Sequence, residues 1–120
     1  MKRQDHFHLE KIGKDWWADS RLMAQEIGVP HHRMLEDIFC HKAEMDEYGQ
    51  PDAVRFQVRT LDTDGDDPLT VVDAAFLSVD HVYYLLRTLY DSDDQLAASR
   101  FRLRYEVAID HARRSERRSA

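Results

Sequence analysis

His31, His32 and Arg33 follow directly on the "GVP" break at residues 28–30. Three such side chains opening a helix suit one chemistry above others, the recognition of a polyanion. A guanidinium pairs with a guanine edge through two hydrogen bonds, and an imidazole meets a base edge or a phosphate. Ser20 and Arg21 stand at the start of the preceding helix, whose free amide groups attract phosphate oxygens. The competing reading is a structural helical corner whose basic side chains are merely solvated. Arg55, Gln57 and Arg59 share one side of a strand-like pattern, either a basic wing beside a groove or a solvated hairpin face.

Other chemistries fare less well. In "DTDGDDPLTVVD", Asp62, Asp64, Asp66 and Asp73 take the first, third, fifth and twelfth places of a calcium loop. The sixth place, however, is Asp67 instead of glycine, and the twelfth lacks the longer bidentate Glu, so the segment reads as an acidic hairpin turn without calcium. His31, His32, Cys40 and His41 form the only cluster of soft ligands, and their spacing fits no zinc pattern. No nucleophile elbow or phosphate loop appears, and four glycines leave little material for a nucleotide cradle. Neither an enzyme, a metal, a cofactor nor a small-molecule substrate is expected.

The elements that must position these residues follow from periodicity. "HFHLEKI" alternates weakly as a short strand, and Trp16 and Trp17 offer apolar anchors, one of them for the core. Asp19 or Ser20 caps a helix whose inward face is Leu22, Met23, Glu26 and Ile27, and Gly28 ends it. Pro30 opens a second helix carrying Met34, Leu35 and Ile38 inward to about residue 48, with Cys40 as a small buried hydrophobe. Val54, Phe56, Val58 and Thr60 define a half-buried strand, Gly65 a turn, and "PLTVVDAAFLS" a returning strand. Ser78 and Asp80 cap an apolar helix. Ser92 and Gln95 form a capping box for the last helix, with Ala97, Phe101, Tyr105, Ala108 and Ala112 on one stripe.

Composition fits this layout. The chain has 120 residues, 42% hydrophobic and 33% charged, which suits one globular domain. We place that domain at 1–112, with 113–120 as a basic, frayed tail. No apolar run is long enough to span a bilayer and no secretion signal opens the chain, so the cytoplasm is the expected location. The net charge is −6, but it is unevenly spread. Residues 36–98 hold 15 acidic side chains against Lys42, Arg55, Arg59 and Arg87, a local balance of −11, while the remainder carries +5. Such poles meet DNA or another protein.

"DSRLMAQEIGVPHHRMLEDI", residues 19–38, resembles the opening of the phage regulatory Rha domain, with Ser20, Arg21, Ala24, Gly28, His31, Met34, Leu35 and Ile38 in register. The likeness extends through the hairpin and "AAFLSVDHVYYLL" to the last helix, over residues 17–112. It departs at Ser78-Val79-Asp80-His81-Val82, where the family commonly has Thr-Arg-Asp-Gly-Phe. The resemblance implies a phage or prophage regulator with a small winged-helix-like domain, similar in style to KilA-N and antirepressor modules. It places Ser20, Arg21 and His31 at a nucleic-acid face.

The expected fold is therefore α+β and winged helix-turn-helix-like: a helical hairpin, then a β-hairpin, then two C-terminal helices. The expected function is transcription regulation, with double-stranded operator DNA bound by Ser20, Arg21, His31, His32, Arg33, Arg55 and Arg59. A homodimer is expected through the apolar surface of the long last helix. The alternative is an acidic phage protein that inhibits a host nucleic-acid enzyme, such as a CRISPR effector, through Asp62, Asp64, Asp66 and Asp67.

Overall fold

The computed structural model describes residues 9–49, 52–62, 65, 67–90 and 95–119. The fold is α+β, with five helices and a curled four-stranded antiparallel sheet among the described residues. Strands β1 (Leu9–Ile12) and β2 (Asp15–Asp19) form a tight hairpin at the left-handed Gly13, φ 64°. Helices α1 (Ser20–Ile27), α2 (His31–Cys40) and α3 (Lys42–Tyr48) follow. Strands β3 (Arg55–Leu61) and β4 (Leu69–Leu77) then pair, and α4 (Val79–Thr88) and α5 (Gln95–Ser119) complete the chain. The sheet order is β1-β2-β4-β3.

The element order corrects the expected one, because a β-hairpin stands before the helices. "DWWAD" is its second strand. Adjacent tryptophans carry no period of their own, but on a strand they point to opposite faces. Trp17 is buried, 6.2 Å from the His81 ring with the Arg55 guanidinium 5.3 Å from its centroid. Trp16 is partly covered, with the Lys11 ammonium over its ring.

Met23, Met34, Ile38, Leu77, Leu85, Phe101 and Tyr105 make the centre of the core between sheet and helices. Gly28 ends α1 at φ 92°, where its N–H reaches the Ala24 carbonyl at 2.8 Å, so the chain turns sharply into Pro30 and α2. The second helix does not continue to residue 48. It breaks at His41, φ −109°, and restarts as α3, which leaves Cys40 exposed instead of buried.

The third strand is also more open than its alternation implies. Val54 is buried and Phe56 partly so, but Val58 and Thr60 are exposed beyond a bulge at Gln57/Val58. Finally, α5 runs on to Ser119, through residues whose lack of apolar period suggests fraying. Lys11–Glu116, Arg113–Asp15 and Arg114–Asp110 pairs lie along that part of the helix. The proposed Ser92–Gln95 box falls on residues 91–94, outside the described ones, and on Gln95, whose side chain is not described.

Candidate nucleic-acid interface

Asp19, not Ser20, caps α1: its carboxylate accepts from the Arg21 N–H at 2.8 Å. Ser20 is thereby drawn into the first helical turn and is fully buried. Its Oγ accepts from the Ala75 N–H of β4 at 2.9 Å and lies 2.8 Å from His31 Nε2. The hydroxyl keeps its proton and a second lone pair, so it bonds Nε2 in either tautomer of a neutral ring. Burial pushes the His31 pKa down, in agreement, with Arg21 and His32 adding to the effect against Asp19. Ser20 and His31 therefore brace α1, α2 and the sheet against one another and offer phosphate neither an exposed hydroxyl nor a positive charge. Ser20 is buried and His31 half-buried, so both hold elements together in this structure.

Arg21 is half exposed but engaged. Its Nη2 and Nε donate to the two Asp19 oxygens at 2.7 and 3.1 Å, and that bond, with the Asp19 charge, raises its pKa. Arg59 donates to Asp73 at 2.8 Å, and the Asp73 charge is also felt at Arg21. The start of α1 and the middle of the hairpin thus share one alternating patch of charge, Arg21, Asp19, Asp73 and Arg59. Arg55, exposed, rests on Trp17.

Arg55 on its tryptophan apart, His32 and Arg33 are the two expected contacts left both exposed and without an ion pair among the described residues. They stand on the first turn of α2, opposite the buried Met34 and Ile38. That helix is fixed at three points along its length. His31 meets Ser20 at its start, the Tyr90 hydroxyl donates to Asp37 at 3.0 Å, and Phe39 stacks on Phe56 of the hairpin at 4.8 Å between centroids. Burial and the Asp37 charge drive the Tyr90 pKa well above the usual phenol value, so Tyr90 stays a donor.

Sequence reasoning leaves His81 unexplained, and here it has two tasks. It completes a capping box on α4, its Nδ1 accepting from the Ser78 N–H at 3.1 Å while its own N–H reaches Ser78 Oγ. Its ring is fully buried against Trp17 and so close to α3 that a Cβ on Gly49 would sit 2.6 Å from Nε2. Burial lowers its pKa, opposed by the Asp46 charge and by a hydrogen bond toward the Asp52 backbone. Ser78 is legible as a cap, and the S-x-x-H spacing is the local signal for the His81 half of the box.

Asp62 and Asp67 are exposed at the hairpin end, whereas Asp64 and Asp66 lie outside the described residues. Among the described residues no helix is long and apolar enough to cross a membrane. Comparison with known proteins finds no matching family model, no matching curated protein and no matching solved structure.

Proposed function

We propose that the chain is a phage-type DNA-binding regulator, of the kind residues 19–38 resemble, in which α1 and α2 act as a helix-turn-helix and β3–β4 as its wing. The observation that carries this reading is the outward, unpaired His32–Arg33 turn on a helix clamped at both ends and in the middle. A rigid rod with its basic first turn outward is what the major groove admits. Arg33 would take a guanine edge and His32 a neighbouring base edge or phosphate. Arg55 would meet the backbone beside the groove, with Arg21 and Arg59 contributing less because each already has a carboxylate partner.

Few free cations mean few displaced counterions, so the salt dependence should be shallow. With two or three phosphates neutralised, log affinity against log salt should slope at about −2 to −3. Fluorescence anisotropy on the duplex flanking the chain's own gene, against random duplex, measures this. Arg33→Ala and His32→Ala should each weaken the specific complex by about tenfold, with an unchanged melting temperature. Absence of binding at about 50 mM salt would overturn the reading.

A second reading is favoured by the hairpin itself. Leu61 and Leu69 face each other across its end and are exposed, next to Asp62 and Asp67. An apolar pair beside acid would fit the basic groove of a host nucleic-acid enzyme. Asp62→Lys with Asp67→Lys should then abolish capture of that enzyme and leave DNA binding intact.

A further inference from the structure

Opposite its buried stripe, α5 carries a second one that nothing among the described residues covers. Leu96, Leu103 and Val107 are 70%, 64% and 68% exposed. Together with Arg100, Asp110 and Arg114, all exposed, they recur at alternating spacings of four and three residues, the heptad pattern of a two-helix seam. At 1.5 Å per residue the stripe from Leu96 to Arg114 is about 27 Å long.

We propose that this stripe pairs with the same stripe of a second copy, antiparallel, about a two-fold axis level with Tyr105. The charges choose the occupant and its direction. In that register Leu103 faces the second copy's Val107, Arg100 faces Asp110, and Leu96 lies along the aliphatic stem of Arg114. Each contact occurs twice by symmetry. A parallel pair would instead stack Arg100 on Arg100 and Asp110 on Asp110. Asp110 already accepts from Arg114 of its own chain at 3.0 Å, so the incoming Arg100 would complete a three-charge cluster. The flanking charges do not oppose the approach: Arg104 is bound to Glu26, and Glu106 accepts from Tyr83 and Arg102. The pairing is independent of DNA binding and would hold in its absence.

Sedimentation equilibrium tests it. The chain should dimerise reversibly, and Arg100→Asp, which turns two attractions into repulsions, should weaken the dimer by about tenfold. Asp110→Arg should do the same, and the two together should restore association. Direction is read by disulfide trapping with diamide as oxidant, in a Cys40→Ser background. Leu103→Cys and Val107→Cys variants should cross-link when mixed, and neither should cross-link alone. A chain monomeric to about 1 mM, where affinity falls to some 4 kcal/mol, would overturn the proposal. So would self-linking by Leu103→Cys alone, or association indifferent to Arg100→Asp in a variant that melts like the parent.

Discussion

Replacing Ser20 with alanine separates two roles that the residue would have in different folds. At a nucleic-acid face the hydroxyl would be a surface contact, and its loss would weaken binding with little effect on stability. In this structure the side chain is fully buried, with the Ala75 N–H at 2.9 Å and His31 Nε2 at 2.8 Å. Ser20→Ala leaves a buried amide without an acceptor, which costs about 1–3 kcal/mol. It also removes the hydroxyl–imidazole bond, worth about 1 kcal/mol more. The total, about 2–4 kcal/mol, corresponds to a melting temperature lower by roughly 10 °C for a domain of this size. His31→Ala should cost about 1 kcal/mol, because it breaks only a half-buried bond and leaves Ser20 on its amide. Thermal unfolding followed by circular dichroism, with urea titration as a check on the slope, measures both. A Ser20→Ala chain melting within about 2 °C of the parent, or less perturbed than His31→Ala, would refute the bracing argument.

Gly49→Ala drives a methyl to 2.6 Å from His81 Nε2 although its backbone, φ −93°, accepts any residue; the destabilisation should be roughly 1–3 kcal/mol, read by calorimetry. His31 and His81 both have pKa values lowered by burial, so below the free imidazole value the unfolded chain binds protons that the folded one refuses. Their contribution is fully present above about pH 6.5 and is lost as pH falls through the folded values. Urea midpoints should therefore drop with acidification, and His81→Gln should flatten part of that slope. An unchanged midpoint between neutral and mildly acidic pH would contradict it.

Local signals in the sequence carry far, and distant pairings do not. The Gly28–Pro30 corner, the inward Met34 and Ile38, the Ser78 cap and the hairpin at Gly65 are each written within a few residues, and each appears where its chemistry places it. Ser20 has the right residue type for a helix start, but its role is set by Ala75, 55 residues on. The strand character of Trp16–Trp17 depends in the same way on partners in β1 and β4. Of the expected inward face of β3 only Val54 and Phe56 are covered, because how far the helices reach along the strand decides burial, and alternation carries no information on that. At the candidate interface, the Asp19–Arg21 pair is legible as neighbours two residues apart, whereas Asp73 under Arg59 needs the hairpin register and its bulge.

The most direct test of the recognition turn is amide chemical-shift mapping of the isotopically labelled chain as duplex DNA is added. The largest perturbations should fall at His32 and Arg33, with smaller ones at Arg55, Gln57 and Arg59. Perturbations confined to the Asp62–Leu69 end of the hairpin or to the outer stripe of α5, with α2 silent, would contradict it.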